Sequence, residues 1–573
     1  MNLPALSPET MALVSFSPMG LLIKVPEGTT ILQAARQAGL VIESPCNSAG
    51  SCGKCAVQLD PASLANVVQK GRHRLSAESS ARGFVLSCET EIRGDIEVAV
   101  IPLEEHKTLQ IVSHGVCCQV ELDPGVRKEY DACSGLTRVL TGDRELAQEA
   151  GDTRGVLYGA VVDIGTTTIA ACLVDLSTGQ EIASAAALNP QSHHAQDILS
   201  RIRFAAIDAG LATMQAAVLG EISGLLESLA RQAELKPVNI YEAVFSGNTC
   251  MLHLALGENP ASLGKFPYAF SLSGGEQRPA VGLGLPVAPG ALIYLPPIIS
   301  AYVGPDLTSG ILATGLQSAV GTTLLVDIGT NGEMVLASDG RILATSTAAG
   351  PAFEGMNISC GMRASDGAIE AFGIDARGES YLSTIGGCEA TGICGSGLMD
   401  IAAELVACGV IGADGRFCAP DSPGGRALPG RLAERLERRD GKTIFRITER
   451  IYLSQKDVRQ VQLAKGAVRA GIDLLLRESG CNTESVERVL IAGSFGYHLR
   501  AESLLTIGLL PPQFAGKVEF VGNTSKSGGE AFLLNREARR EMAEVVARVE
   551  VLELANCPDF DRTFVRCLSF AEQ

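Results

Sequence analysis

Residues 160–168 read AVVDIGTTT, and residues 324–332 read LLVDIGTNG. Each copy is an apolar run, then Asp, then Gly-Thr. The run predicts a buried strand, and Gly-Thr predicts a tight turn at its end. An Asp at a strand end can hold a metal ion or its waters. The turn lets backbone N–H groups and a hydroxyl reach phosphate oxygens. A single copy would also suit an ordinary hairpin turn. Two nearly identical copies 164 residues apart predict two similar lobes with a nucleotide between them. Asp163 and Asp327 are the candidate catalytic and Mg²⁺-holding residues. Gly165, Thr166, Thr167, Gly329, Thr330 and Asn331 are the candidate phosphate contacts.

A third strand-and-turn, RVLIAGSFG, occupies 488–496 and adds Gly493, Ser494 and Gly496 to the candidate nucleotide contacts. This stretch resembles the adenosine motif of the acetate and sugar kinase, heat-shock chaperone and actin (ASKHA) superfamily. In that superfamily the two Asp-Gly-Thr turns are the phosphate motifs. The resemblance implies an actin-like ATPase whose two lobes each carry a mixed sheet with helices, with ATP in the cleft.

Toward the N-terminus, residues 12–25 alternate in polarity on either side of a turn at Pro18–Gly20, which predicts a hairpin. Thr29 or Thr30 can cap a helix over ILQAARQAG. Ile31, Leu32, Ala35 and Ala38 form its apolar stripe, and Gly39 ends it. Then comes Cys46-Asn-Ser-Ala-Gly-Ser-Cys52-Gly-Lys-Cys55, with Cys88 further on. Iron and bridging sulfide need four thiolates converging on a small volume. One loop can supply three of them if its backbone wraps the cluster, and Gly50 and Gly53 permit that. The alternatives are a zinc site or four unrelated core cysteines, but zinc ligands usually come as two close pairs, and Cys88 has no near partner. The spacing resembles the plant-type 2Fe–2S ferredoxins, with one extra residue in the first gap as in the adrenodoxin branch. The resemblance implies a β-grasp domain with a 2Fe–2S cluster on Cys46, Cys52, Cys55 and Cys88.

Composition agrees with an α/β multidomain protein. The chain has 573 residues, 46% apolar and 19% charged, with 63 Gly, no Trp and 5% aromatics. A chain this long and apolar buries a large core, which excludes dominant disorder. The net charge of −17 disfavours nucleic acid or an anionic membrane as the main partner. Residues 12–103 carry eight basic and eight acidic residues, so the excess charge lies elsewhere. A neutral cluster module points to a tethered main partner. The N-terminus has no secretory pattern, and no uncharged apolar stretch approaches the roughly 20 residues of a membrane span. The seventeen cysteines then suit a cytoplasmic protein with few disulfides. Outside the four cluster residues they are expected to be buried small apolar side chains.

The expected domains are a ferredoxin domain at 12–103, a linker or small middle subdomain at 104–154, ATPase lobe I at 155–320 and lobe II at 321–573. Alternation in LQIVSHGVCCQVEL predicts a strand within the linker. Its Cys117-Cys118 pair has poor geometry for a disulfide or a shared metal.

Further segments sharpen the resemblance: NPQSHHAQDILSRI, FSGNTCMLH, LPPIISAYVGPD, AGPAFEGMNISCGMRA, TGICGSGLMD and SQKDVRQVQLAKGAVRAGI. With the ferredoxin module they make the chain similar to the reductive activators of corrinoid proteins over about residues 12–573. The segment between the modules is short for that family. The resemblance implies ATP-dependent transfer of one electron from the 2Fe–2S cluster to Co(II), regenerating Co(I). The implied partners are a corrinoid protein of a methyltransferase system and an upstream low-potential electron donor, with a homodimer as one assembly.

Three smaller readings stay open here. Ser454 to Asp457 form a capping box, followed by a helix with Val458, Val461, Ala464 and Val468 on one face. Gln462 and Lys465 then face either the nucleotide or solvent. GICGSG is either a plain turn before helix LMDIAAELVACG or a presenter of Ser396 to the partner's cobalt. The functional alternative is a small-molecule kinase of the same superfamily with a fused redox-sensing ferredoxin domain.

Overall fold

The computed structural model describes residues 10–40, 42, 55–70, 75, 77–100, 120–375, 377–418, 428–439, 441–493 and 499–570. They divide into two compact units, a smaller one built mainly from residues before 108 and a larger one from the rest.

In the smaller unit, β1 (Met11–Ser17) and β2 (Leu21–Pro26) form the expected antiparallel hairpin. Helix α1 (Ile31–Gln37) follows. Thr30 caps it, its hydroxyl accepting from the Gln33 N–H while the Gln33 side chain accepts from the Thr30 N–H. Strands β3 (Ala56–Leu59), β4 (Phe84–Leu86) and β5 (Ile96–Ala99) complete a mixed sheet in the order β2-β1-β5-β3-β4. Ala12, Val14 and Phe16 alternate inward along β1 and pack with Ile31, Ala34 and Ala35 of the helix. The period of two on the strand meets the period of 3.6 on the helix, and that contact is the core of the unit.

The larger unit begins with an antiparallel meander, β6 (Arg127–Asp131), β7 (Leu136–Thr141) and β8 (Arg144–Ala150). The Cys117-Cys118 pair lies outside the described residues. Two six-stranded sheets follow. The first holds β9 (Tyr158–Ile164), β10 (Thr168–Asp175), β11 (Glu181–Leu188), β12 (Ile240–Gly247), β13 (Glu276–Pro279) and β14 (Leu292–Leu295), in the order β11-β10-β9-β12-β14-β13. The second holds β15 (Thr322–Ile328), β16 (Gly332–Ser338), β17 (Arg341–Thr347), β18 (Val486–Ala492), β19 (Val518–Gly522) and β20 (Glu550–Val551), in the order β19-β18-β15-β16-β17-β20. Both sheets open with a three-stranded meander whose first strand then pairs in parallel with a later strand. The Asp-Gly-Thr copies occupy the same place in each: the first hairpin of each meander.

Helix α2 (Ile198–Phe204) and helix α3 (Asp208–Gln232) lie between β11 and β12. By length and composition α3 matches a membrane span. Here it packs on β10 and β11, with Met214, Val218, Ile222, Leu226 and Leu229 buried. After β12 come α4 (Thr249–Leu256) and, after β14, α5 (Pro305–Thr314). Helix α6 (Gly395–Ala407) begins within GICGSG rather than after it. A Cβ on Gly395 would lie 1.7 Å from the Phe353 carbonyl oxygen, and one on Gly397 would lie 2.0 Å from that of Ile369. The glycines are there for close backbone approach, which a first helical turn tolerates.

Helix α7 (Gln455–Ser479) has the expected capping box and buried face. Gln462 and Lys465 serve neither solvent nor nucleotide. Both are buried and hold the segment after residue 567, Gln462 donating to the Leu568 carbonyl at 2.9 Å and Lys465 to that of Ser569. Helices α8 (Thr524–Leu534) and α9 (Arg536–Val546) return to the first lobe, where α8 packs on α5, β9 and β12. Gly528 and Gly529 allow it, since a Cβ there would meet the Ser309 carbonyl at 2.0 Å and Val161 at 2.4 Å.

The cysteine expectation needs correction. Cys172, Cys250, Cys394 and Cys567 are buried, but Cys133 and Cys388 are exposed. Cys133 sits in the turn between β6 and β7, and Cys388 follows a short 3₁₀ turn at Ile385–Gly387.

Candidate functional site

The residues of the two Gly-Thr turns line one cleft of about 1330 Å³, counting the part open to solvent. Asp163, Gly165, Thr166, Thr167, Asp327, Gly329, Thr330, Asn331, Gly493 and Ser396 all reach it. Ser494 and Gly496 lie outside the described residues. Gly493 sits at φ +118°, and a Cβ there would lie 2.4 Å from the Ile328 carbonyl oxygen. Only glycine lets this third turn pass so close to the end of β15.

The first turn is clamped from below. Buried Arg201 on α2 donates to the Thr166 carbonyl at 2.5 Å and to Gln191 at 3.1 Å. Asn189 donates to the Gly165 carbonyl at 2.8 Å. Burial pulls the Arg201 guanidinium down to about 10, still charged at neutral pH. The Gly165 and Thr166 main-chain carbonyls of the turn are thus occupied.

Five carboxylates converge here, three more than the sequence pattern nominated. Asp163 accepts from Asn523 at 2.9 Å and from the Ser525 hydroxyl at 2.7 Å. Enclosure in the cleft raises its pKa above the usual carboxylate range. Burial and then the Asp163 charge push Asp327 up to about 7. Asp306, in the first turn of α5, is pushed up to about 8, by burial first and by Asp327 second. Glu333, one residue beyond Asn331-Gly332, is raised well above its ordinary value by burial, Asp306 and Asp327. It accepts from Asn248 at 3.0 Å. Glu354 accepts from Thr167 at 2.5 Å and from Thr330, whose hydroxyls are 3.3 Å apart. Burial also raises its pKa. Like charges crowded in a low dielectric resist ionisation. A divalent cation relieves that cost, so the donor set fits Mg²⁺.

A second internal repeat could have exposed part of this set. FSGNT at 245–249 and FVGNT at 520–524 each end a strand and start a helix. Asn248 and Asn523 cap those helices by accepting from the Cys250 and Lys526 N–H groups. Each turns its amide N–H to a carboxylate of the cleft. Asp306 and Glu354 carry no comparable signal, because neither follows a repeated pattern.

The smaller unit carries the other candidate site. Cys55 Sγ and Cys88 Sγ are 3.2 Å apart, buried against Leu32 and Leu86. A disulfide is about 2.05 Å long, so this is a pair of adjacent thiols, close enough to bind one metal ion. Cys46 and Cys52 lie outside the described residues. Cys172, Glu181 and Glu530 also approach one another, but Lys526 pairs with Glu181 at 2.7 Å and with Glu530 at 3.6 Å. The lysine ammonium thus occupies the place between the two carboxylates, and burial raises the pKa of Glu530.

Comparison with known proteins places three family models along the chain. A family model described as the 2Fe-2S iron-sulfur cluster binding domain matches residues 16–93. One described as the RACo middle region matches 158–319, and one described as the C-terminal domain of RACo, the ASKHA domain, matches 321–573. The corrinoid activation enzyme RamQ of Eubacterium limosum is 31% identical over 426 residues, 73% of this chain and 71% of that protein. The Co(II) methylated amine-specific corrinoid protein reductase of Methanosarcina barkeri is 30% identical over 306 residues, 49% of this chain and 52% of that one. A solved structure of a reductive activator for corrinoid, iron-sulfur protein matches with a TM-score of 0.72 at 29% identity, covering 98% of each chain.

Proposed function

This chain belongs to the corrinoid activation enzymes, and we propose that it reduces the Co(II) corrinoid of a partner protein to Co(I), one electron per event, with ATP as the driving ligand. Family membership favours this over the kinase with a redox sensor. The observation that carries the reading is the coexistence in one chain of an adjacent buried thiol pair and a cleft lined by twin Asp-Gly-Thr turns.

Cys55 and Cys88, with Cys46 and Cys52, hold the 2Fe–2S cluster. When bound, that cluster supplies single electrons near about −400 mV. The protein's own residues set the rest. The main-chain N–H groups of residues 165–167 and 329–331 and the Thr167 and Thr330 hydroxyls grip the phosphates, and Asp163 and Asp327 hold Mg²⁺ or its waters. Asn523 and Ser525 fix the rotamer of Asp163. ATP drives an uphill transfer only by favouring one state of the complex over another, so nucleotide binding must alter how the partner docks. Ser396, at the start of α6, is the side chain offered to the partner's cobalt as an oxygen ligand. It is 4% exposed, so that contact requires the mouth of the cleft to open. An upstream low-potential donor reloads the cluster. A homodimer in the cytoplasm completes the reading.

The test is anaerobic. The pre-reduced protein is mixed with a Co(II) corrinoid protein, and visible spectra are recorded with and without MgATP. ATP-dependent growth of the Co(I) band is the expected result. No Co(I) with any of several corrinoid proteins, alongside phosphorylation of a small molecule, would move the assignment to the kinase.

A further inference from the structure

Glu354 holds a position that the phosphate turns cannot share with a nucleotide. Its two carboxylate oxygens accept from Thr167 and Thr330, one hydroxyl from each turn. A threonine hydroxyl has one proton to donate. It cannot donate to Glu354 and to a phosphate oxygen together. The carboxylate would also lie beside the phosphate charge in an enclosed site, where like charges repel strongly. Gripping phosphate with these hydroxyls therefore requires them to leave Glu354.

Glu354 ends a short 3₁₀ turn, Pro351–Glu354, whose backbone is packed against another part of the cleft. The Phe353 carbonyl oxygen sits where a Cβ of Gly395 would be, 1.7 Å from that point. Just beyond, Met362 N–H donates to the Ile393 carbonyl at 2.8 Å, and Ile393 N–H to that of Cys360 at 2.9 Å. A Cβ on Gly355 would lie 2.2 Å from the Met362 carbonyl oxygen. Backbone against backbone leaves no soft side chain to absorb a displacement. A shift of the backbone at Phe353–Glu354 is then passed to the first turn of α6, at Gly395–Gly397.

We infer that Glu354 is a latch between the two phosphate turns, and that nucleotide phosphate opens it and thereby repositions the start of α6. The inference rests on the reading that the Gly-Thr turns grip phosphate, and it supplies that reading with the element that moves. Arg201 and Arg363 are the cations nearest in effect to Glu354, and they favour its charged, latched form. Glu354 acts through the threonines and through Phe353, so it is a positioning residue.

The experiment uses the full-length, cluster-loaded protein and its Glu354→Gln variant. Glutamine keeps the shape but can accept with only one atom, so it cannot hold both hydroxyls. Binding of Mg-AMPPNP is measured by calorimetry. Hydrogen exchange of a peptide spanning residues 393–400 is measured with and without saturating Mg-AMPPNP. The variant is expected to bind more tightly, on the order of tenfold, because a competing carboxylate is gone. Its 393–400 exchange should no longer respond to nucleotide, whereas the wild type responds. A merely structural Glu354 would give weaker binding. Equal or weaker binding, or an unchanged exchange response, overturns the latch. Should the glutamine variant fail to fold, Glu354→Ala gives the same two readings. A wild type that does not bind Mg-AMPPNP at all would overturn the nucleotide reading itself. Normal wild-type binding with an unaltered variant would overturn the latch alone.

Discussion

Asn523 donates to Asp163 across 2.9 Å, although the two residues stand 360 positions apart. The same asparagine caps α8 by accepting from the Lys526 N–H. One side chain therefore starts a helix and aims a carboxylate. Its two jobs separate by substitution. Asn523→Asp keeps the cap acceptor and loses the donor to Asp163. ATP turnover should fall on the order of 10–100-fold, and the melting temperature should fall more at neutral pH than at about pH 5, because the new carboxylate is buried beside Asp163. Asn523→Ala should show the same loss of turnover and also cost about 1 kcal/mol of stability. Phosphate release and thermal melts check both.

Asp327 faces the cleft at the end of β15, and burial together with Asp163 pushes it up to about 7. A charge so disfavoured needs a cation. Asp327→Ala should reduce ATP turnover on the order of a hundredfold or more and abolish ATP dependence of corrinoid reduction. The visible spectrum of the cluster should stay intact. Retained turnover in phosphate-release assays would remove Asp327 from the ion site.

Replacing Cys88 tests the other unit. The Cys88 sulfur lies 3.2 Å from that of Cys55 in an apolar pocket. Cys88→Ser should lose the cluster absorption and most of the bound iron while nucleotide affinity stays at the wild-type value. A normal cluster spectrum in the variant would exclude Cys88 as a ligand.

Asp306 gives a pH dependence with a definite sign. Its carboxyl is pushed from an ordinary 3.8 up to about 8. Between those values the folded protein keeps a proton that the unfolded chain has released. Its contribution to stability is therefore full below the unfolded value and declines as pH rises toward the folded one. Asp306→Asn removes the titration. The variant's advantage over wild type should grow by on the order of 1–3 kcal/mol between about pH 5.5 and about pH 8.5. Urea unfolding at the two pH values measures it, and an advantage that stays constant would place the proton elsewhere.

The strand-turn copies at Asp163 and Asp327 were legible because their chemistry is local. An apolar run must be buried, and Gly-Thr must turn. The hairpin at Pro18–Gly20, the Thr30 cap and the buried face of α7 were legible for the same reason. Gln462 and Lys465 were not. Helical periodicity says which side a residue is on but not what packs there, and here the segment after residue 567 does.

Sequence by itself determined the two kinds of module, the twin Gly-Thr turns and the cysteine pattern, since each is written in neighbouring residues. Tertiary structure alone decided which groups meet at those turns. Asp306 starts a helix, Glu333 adjoins the second Gly-Thr turn and Glu354 ends a short 3₁₀ turn, and their local sequence does not say that the three meet. Their shifted protonation arises from mutual repulsion and lost solvent. Both depend on distances through space, which only the closed fold sets.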